Sequence, residues 1–291
     1  MGNSYCAAVW KKINSSSTNE KDAEKQPDKT LVFAIVALDN DTVYPTLFFT
    51  QNEQERQTAT RMLVEDLLAA PITVNAVRGY DPSLKLVIDT WKALSTITPS
   101  LSFTETYPIC LSYISPSIDE LKSSKALVSI EGQGYHLRKA TTVEYPLLIY
   151  WTRAFLMFYG FLQDENQKKT VDNAPIVSSD YDYIEVEGEF HNGSIYFWCT
   201  PDGLPVSMIW RRRPLGLGCS IGYVYTPSEY RGRGYASSMV AAFTIELLKS
   251  YKYVNLMVDA KQDLKENLYA RVGYRYSGTM IRYTSSISSS T

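Results

Sequence analysis

The chain has 291 residues, enough for two domains of ordinary size or one large one. Hydrophobic residues make up 45% of it and charged residues 21%, a balance typical of a soluble globular protein. With 29 basic and 31 acidic side chains the formal charge is −2. Nothing in this charge balance indicates a strongly basic surface of the kind that binds nucleic acid by neutralising its phosphates.

Cysteine and histidine content gives no sign of a metal site. The four cysteines are not spaced as zinc ligands or as a dense disulfide framework, and only two histidines are present. We therefore expect reduced thiols, no bound metal and a cytoplasmic location. No segment reaches the roughly 18 apolar residues of a transmembrane helix, so no membrane span is expected. Lipidation of Gly2 is left open, although Cys6 stands where a myristoylation signal prefers Ser or Thr.

The first part of the chain is predicted to be a flexible tail over residues 1–30, followed by a small α/β domain over residues 31–130. Polar and charged residues dominate 11–30, whereas apolar runs alternate with helical spacing of apolar residues afterwards. The pattern predicts strands at 31–38, 42–50, 72–77 and 102–113 and helices at 58–68 and 84–94. This half has neither a glycine-rich loop nor a cluster of reactive side chains, so we assign no chemistry to it.

Residues 115–134 contain Ser, Pro and Gly breakers and are predicted to be a linker with a helical turn. The pattern then restarts as a second domain over residues 134–285. Strands are predicted at 135–140, 195–200, 206–210, 219–225, 254–258 and 274–283, and helices at 144–161, 235–248 and 265–271. The predicted fold class is therefore α/β with a mixed sheet, in which one long helix follows a strand.

Residues 231–236 have the features of a phosphate-binding turn, and we call them the phosphate cradle. They lie between a predicted strand and the first turn of a predicted helix, where unpaired N–H groups and the helix dipole favour an anion. Gly232 and Gly234 allow close backbone approach, and Arg231 and Arg233 add positive charge. Neither the P-loop nor the dinucleotide-binding pattern is present. The alternative is a tight strand-to-helix turn with solvated arginines.

The motif Arg231-x-x-Gly234-x-Ala236 resembles the coenzyme A signature of the Gcn5-related N-acetyltransferase (GNAT) superfamily. The longer runs over 223–237 and 259–274 resemble its FR47-like branch. The resemblance is strong over 219–276, weaker over 135–218 and faint over 31–115. It implies a GNAT acyltransferase fold in the C-terminal half, preceded by a degenerate GNAT-like N-terminal half.

The resemblance implies that acetyl-CoA or another acyl-CoA is the acyl donor. In this family the strand before the cradle diverges from its neighbour, and its exposed backbone binds the pantetheine arm and can polarise the thioester carbonyl. The residues implied to bind the cofactor are Tyr223, Val224, Tyr225, Arg231, Gly232, Arg233, Gly234, Tyr235, Ala236 and Gln262. Gln262 stands where relatives commonly have Asn, and Asp263 follows it in place of Pro.

Three residues are candidates for proton transfer. Tyr269 matches the family tyrosine that can protonate the leaving thiolate, and a packed aromatic side chain on a short helix is the alternative. As general base, Asp259 could accept the amine proton, or it could cap the turn that follows it. Glu187 could face an amine pocket, or it could form a solvated acidic face together with Glu185 and Glu189.

The predicted function is acyl-CoA-dependent N-acylation of a small molecule or amino acid, by direct attack in a ternary complex. A non-catalytic acyl-CoA-binding module and a peptide or protein N-acetyltransferase are the alternatives. We expect no nucleic-acid partner, and a homodimer is left open. Several aromatic residues could line a pocket for an apolar substrate, although burial in the core is the preferred interpretation. These residues are Trp151, Phe155, Tyr159, Trp198 and Trp210.

Overall fold

The computed structural model describes residues 5–12, 29–38, 42–45, 50–70, 74–95, 101–128, 132–158, 180–261 and 267–287. The chain divides into two compact units: unit 1 is Met1–Leu111 with Gly278–Thr291, and unit 2 is Ser112–Ser277. Each unit contains helices together with parallel and antiparallel strand pairs, so the predicted α/β class with mixed strands is confirmed. The domain limits 31–130 and 134–285 remain predictions. None of the helices within the described ranges is long and apolar enough to cross a membrane.

Unit 1 is a sheet that carries two helices. Its elements are β1 (Tyr5–Lys12), β2 (Lys29–Leu38), β3 (Thr42–Pro45), α1 (Glu53–Ala69), β4 (Ala76–Tyr80), α2 (Ser83–Leu94), most of β5 (Leu101–Ile114) and most of β11 (Arg275–Ile287). The strands lie in the order β1-β2-β3-β4-β11-β5. Trp91 of α2 packs edge-on against Phe103 of β5, with ring centroids 5.4 Å apart, and both side chains are buried in the core.

The residues of β1, which the sequence assigned to a flexible tail, form a strand antiparallel to β2. Ala7 and Val9 pack against the core of unit 1, whereas Cys6, Ala8 and Trp10 are exposed. This alternation is the period-two pattern of a half-buried strand. Its core-facing side chains are small, so the strand did not stand out beside the polar residues that follow it.

Unit 2 contains the phosphate cradle. Its helices are α3 (Ile118–Lys122), α4 (Lys125–Val128), α5 (Tyr145–Phe158), α6 (Asp180–His191), α7 (Tyr235–Leu248) and α8 (Leu268–Val272), and its strands include β6 (His136–Lys139), β7 (Ile195–Cys199), β8 (Pro205–Leu215), β9 (Gly218–Tyr225) and β10 (Tyr253–Asp259). These strands lie in the order β10-β9-β8-β7-β6. Neighbours from β6 to β9 are antiparallel, whereas β9 and β10 are parallel because α7 crosses over between them.

Helices α5 and α7 cover opposite faces of the sheet in unit 2. Phe197 of β7 packs against Trp151 of α5, with ring centroids 5.4 Å apart. The preceding residue, Tyr196, packs against Phe243 of α7, with ring centroids 4.6 Å apart. Because successive side chains of a strand point to opposite faces, these two contacts place the two helices on different sides.

Helix α6 was not predicted from the sequence. Around it, Glu185, Glu187 and Glu189 alternate with Val186 and Gly188, which is the pattern of a strand. In the structure Val186 is buried in the core beneath α5, and Phe190, one helical turn later, packs against the same core. The acidic residues therefore lie along a helix that is held by this apolar stripe.

A buried hydrogen bond between α7 and the start of the last strand gives a stability prediction. The Thr244 hydroxyl lies 2.6 Å from the Tyr274 hydroxyl, and both side chains are buried. We expect Thr244→Val to lower the free energy of unfolding by about 1–3 kcal/mol, because it leaves the Tyr274 hydroxyl buried without this partner. Urea unfolding followed by fluorescence measures the change.

The matched control is Thr152→Val on α5. Thr152 is also fully buried, but its hydroxyl has no hydrogen-bond partner among the described residues. Its removal should be neutral or stabilising. Equal destabilisation by the two substitutions would contradict the role given to the Thr244–Tyr274 hydrogen bond.

Burial of Cys219 gives a prediction about thiol reactivity and pH. Burial raises the pKa of the Cys219 thiol to about 11, whereas Cys6 is exposed. Iodoacetamide at neutral pH should alkylate Cys6 in the native protein and spare Cys219 until urea unfolds the chain, as mapped by peptide mass spectrometry. Equal native reactivity of the two thiols would contradict this prediction.

The same burial makes stability depend on pH. Because the folded state holds the pKa of Cys219 above the ordinary thiol value of 9.0, the contribution of Cys219 to the free energy of unfolding falls as the pH rises from about 9 to about 11.

Candidate active site

Strands β9 and β10 pair over only part of their length. Their parallel register contains three pairs, Gly218–Tyr253, Cys219–Val254 and Ser220–Asn255, although both strands are described throughout. Strand β9 stays paired with β8 as far as Tyr225, which lies opposite Met208. The strands therefore part after Ser220 and leave a gap between the C-terminal ends of β9 and β10, which we call the wedge.

A β-bulge interrupts β9 beside the wedge. Trp210 of β8 lies opposite Gly222, but Met208 lies opposite Tyr225, so β9 has one more residue than β8 between these two pairs. Tyr223, inside the bulge, has a φ of 49°, in the left-handed region that residues with a side chain seldom adopt. Bulges of this kind re-aim backbone and side chains, and this one lies where β10 has already left β9.

The phosphate cradle follows β9 and leads into α7. Gly232 and Gly234 have φ values of 76° and 81°, and Gly234 is the N-cap residue of α7. No side-chain cap bonds to this helix end, and its first turn contains no acidic residue, so backbone N–H groups there can serve a ligand. A Cβ added at either glycine would meet no atom within 4 Å, so open space borders the loop. These features fit the diphosphate of coenzyme A.

The two arginines of the cradle have different surroundings. Arg231 donates its Nε–H to the Thr226 carbonyl oxygen at 2.8 Å, and its guanidinium carbon lies 4.9 Å from the ring centroid of Phe158 on α5. Arg231 therefore braces the loop against α5 as well as adding charge. Arg233 is exposed and supplies a second positive charge beside the start of α7.

The aromatic side chains that flank the cradle are held inside the protein. Tyr235 is buried, and its hydroxyl lies 3.1 Å from that of Tyr135; this hydrogen bond, with burial, raises the pKa of Tyr135. Tyr225 packs against Trp151 with ring centroids 6.1 Å apart, and burial raises the pKa of Tyr225. Tyr235 is thus placed to offer a ligand its main chain rather than its ring, and Ala236 beside it has no polar side-chain atom.

In unit 1, α1 connects the parallel strands β3 and β4 as α7 connects β9 and β10, and the start of α1 has the opposite character. Helix α1 begins at Asn52, whose side chain accepts a hydrogen bond from the Glu55 N–H at 3.0 Å. Its first turn contains Glu53 and Glu55, and the Glu55 carboxylate also accepts from the Thr50 hydroxyl at 2.6 Å. A helix end that is capped by its own side chains and carries two carboxylates does not favour a phosphate.

Tyr269 lies in the first turn of α8, whose two ends are defined by caps. The Asn267 side chain accepts from the Ala270 N–H at 2.8 Å and donates to the Tyr113 hydroxyl at 2.7 Å. Gly273 ends the helix with a φ of 109°. The half-buried Tyr269 ring contacts Tyr274 edge-on, with centroids 6.3 Å apart. Position and partial exposure leave both interpretations of Tyr269, proton donor and packed aromatic, in place.

The two candidate bases make local contacts. Asp259 ends β10 at the wedge, and its Oδ1 accepts from the Lys261 N–H at 2.8 Å, which is the turn-capping alternative. Glu187 lies on α6, half exposed, with its carboxylate 3.8 Å from His191 in an i,i+4 pair. Gln262 lies outside the described residues. Within the described ranges, no group of three or more His, Cys, Asp or Glu side chains could hold a metal ion.

The sequence named Tyr223, Phe155 and Trp210 one by one, but it did not predict that they pack together at the bulge. The Tyr223 ring stacks on Trp210, with centroids 4.1 Å apart, and contacts Phe155 at 4.8 Å. Trp151, Trp198 and Trp210 are buried, in agreement with the preferred core interpretation, and Tyr159 lies outside the described residues. No local sequence pattern predicts this cluster, because its members come from three separate elements.

A comparison with protein families assigns the part of the chain that contains the site. Residues 207–283 match the model of the family described as FR47-like protein. The match includes β9, the phosphate cradle, α7, β10 and α8. For residues 207–283, the predicted relationship to the FR47-like branch of the GNAT superfamily is thereby confirmed.

Solved structures support the fold. An acetyltransferase of the GNAT family from Colwellia psychrerythraea is similar with a TM-score of 0.53 at 12% identity, over 88% of this chain and 81% of that one. GCN5-related N-acetyltransferases from Sphaerobacter thermophilus and Kribbella flavida give TM-scores of 0.47 and 0.44 at 14% identity, over 87% of this chain and 76% and 86% of theirs. No curated protein matches the chain. At such identity the first likeness supports the GNAT fold and nothing finer.

Because open space borders the phosphate cradle, we predict that a substitution of one of its glycines is enough to weaken coenzyme A binding. Gly234→Glu should weaken coenzyme A binding at least about tenfold by calorimetry, because its carboxylate enters the open space and like charges in contact cost several kcal/mol. The matched control is Gly216→Glu in the β8–β9 turn, which also has a positive φ and open space. If Gly234→Glu binds as tightly as Gly216→Glu, the phosphates bind elsewhere.

Proposed function

We propose that this chain, which over residues 207–283 belongs to the FR47-like branch of the GNAT superfamily, is an N-acyltransferase. The donor would be an acyl-CoA, with acetyl-CoA as the expected one, and the acceptor would be the amine of a small molecule or amino acid. One observation carries the proposal: β9, the strand that has left its neighbour, leads through residues 226–234 to the uncapped, glycine-bounded start of α7. Together they offer a phosphate site and a stretch of β9 that lies beyond its ladder with β10.

Binding of the donor would use main-chain groups for the most part. The N–H groups at Gly232, Gly234 and the first turn of α7 would hold the diphosphate, assisted by the charges of Arg231 and Arg233. The edge of β9 beyond Ser220, from Tyr223 to Tyr225, would receive the pantetheine arm as an added strand receives a partner. Gln262 would add a side-chain contact.

The chemistry requires one bond to form, one to break and two protons to move. The neutral amine nitrogen attacks the thioester carbonyl carbon, the C–N bond forms and the C–S bond breaks. The Tyr269 hydroxyl would protonate the departing sulfur, and a carboxylate would take the proton that the amine nitrogen loses. We propose Asp259 as this base, directly or through water, because it ends the strand that borders the wedge; Glu187 on α6 is the second candidate.

The N-terminal half is proposed to be a degenerate acyltransferase-like domain, over 31–130, that binds no coenzyme A. The support is the start of α1, which is capped by Asn52 and carries Glu53 and Glu55 where the cradle carries glycine and arginine. The working domain would be 134–285, and we propose a cytoplasmic location for the whole.

Turnover and the role of Tyr269 can be tested together. Release of free thiol from acetyl-CoA is measured over a panel of amines and amino acids, for the wild type and for Tyr269→Phe. We expect at least one acceptor to be turned over, and Tyr269→Phe to lower kcat about 100-fold or more with unchanged coenzyme A affinity, because the proton donor is lost. Tyr276→Phe, at an exposed tyrosine of β11, is the control.

Each contrary result has a distinct meaning. Full activity in Tyr269→Phe would show that Tyr269 is a packed aromatic residue. Acetyl-CoA binding without thiol release for any amine would favour the non-catalytic binding module. Activity on peptides alone would favour the peptide or protein N-acetyltransferase.

A further inference from the structure

Tyr223 is held in a backbone conformation that its side chain disfavours. Its φ is 49°, and among the non-glycine residues of the described ranges only Arg213, at 44°, also has a positive φ. In this region the Cβ crowds the following carbonyl oxygen, so an L-residue stays there only when its surroundings over-determine it. Such strain concentrates at functional sites, and Tyr223 lies in the bulge of β9, beside the wedge.

The Tyr223 ring is clamped by side chains from two other elements. Trp210 of β8 stacks on it almost parallel, with centroids 4.1 Å apart and an interplanar angle of 14°. Phe155 of α5 contacts it at 4.8 Å and 33°. The guanidinium carbon of Arg212 lies 5.2 Å from the ring centroid, and Glu189 on α6 pairs with Arg212 at 3.2 Å. Return of the backbone to an extended conformation would require the ring to leave this stack.

By holding the Tyr223 ring, Trp210, Phe155 and Arg212 also fix the orientation of a peptide group at the wedge. A left-handed residue turns the peptide that follows it relative to the strand ladder, and here that peptide joins Tyr223 to Val224. The last β9–β10 pair is Ser220–Asn255, so this peptide lies beyond the shared ladder of β9 and β10. A fixed N–H donor is most useful where negative charge develops on a carbonyl oxygen during acyl transfer.

We propose that Phe155, Trp210 and Arg212 are positioning residues, which lock Tyr223 in the left-handed conformation so that the Tyr223–Val224 peptide is fixed to polarise the donor carbonyl. This inference rests on the proposed acyl transfer. The ring of Tyr223 is part of the lock and contacts no substrate. What matters at position 223 is therefore the backbone conformation.

The test compares two substitutions that both remove the ring. Glycine adopts the left-handed region readily and alanine does not, so Tyr223→Gly should retain more function than Tyr223→Ala. With acetyl-CoA labelled by ¹³C at the carbonyl, binding to the wild type should move the carbonyl resonance downfield. We expect Tyr223→Gly to keep most of this shift and Tyr223→Ala to lose it, with kcat at least about tenfold lower in Tyr223→Ala than in Tyr223→Gly.

Two positions serve as controls for the comparison. At Tyr225, which has no positive φ, glycine should give no advantage over alanine in the carbonyl shift. At Arg213, glycine should be more stable than alanine in thermal unfolding, but the carbonyl shift should be the same for both. Phe155→Leu, which removes one face of the stack, should reduce the shift even if Tyr223→Ala fails to fold.

The outcomes separate this inference from the proposed function. If the wild type binds acetyl-CoA with a shifted carbonyl but Tyr223→Gly is no better than Tyr223→Ala, the lock is overturned and the acyl transfer stands. An unchanged shift in Phe155→Leu would equally overturn the lock. If the wild type binds no acetyl-CoA, the proposed function and the lock both fall.

Discussion

Three parallel pairs join β9 to β10, and the hydrogen-bond ladder between the two strands ends at Ser220 and Asn255. A ladder continued to the ends of both strands would consume the backbone donors and acceptors along that edge of β9. Because the strands part, this edge of β9 lies outside the ladder with β10, and the bulge at Tyr223 and the phosphate cradle follow it along the chain. The cradle without the wedge would be an anion site alone; the wedge without the cradle would have no anchor for a charged donor.

The beginning of α7 sacrifices stability that an ordinary helix would keep. A capping side chain stabilises a helix by only a few tenths of a kcal/mol relative to glycine at the same position, and Asn52 supplies such a cap to α1, whereas Gly234 supplies none to α7. Gly232 and Gly234 adopt a positive φ beside open space, which allows the close approach of a ligand. The helix that follows a strand is thus capped by its own side chains in unit 1, whereas in unit 2 its first N–H groups have no side-chain cap and can be bound by a ligand.

Helix α5 connects the two parts of the candidate site. Its Phe155 contacts the Tyr223 ring in the bulge, and its Phe158 lies beneath the guanidinium of Arg231 in the cradle. Trp151, on the same helix, anchors it to the buried Phe197 of β7. Bulge and cradle therefore contact one helix, which would help to preserve the distance between the proposed carbonyl-polarising peptide and the proposed phosphate site.

The sequence by itself determined the elements that short-range sequence patterns specify. Helix α7 was predicted from Tyr235 to Leu248, as observed, because glycines precede it and apolar residues recur at helical spacing. Helix α6 and β1 were missed: one carries a strand-like alternation, and the other turns only the small side chains Ala7 and Val9 to the core. In both cases contacts with distant residues decide the conformation. The parting of β9 from β10, the bulge and the stack on Tyr223 were decided by the tertiary structure. Strand register and ring packing arise between residues far apart in the chain, and no short-range pattern encodes them.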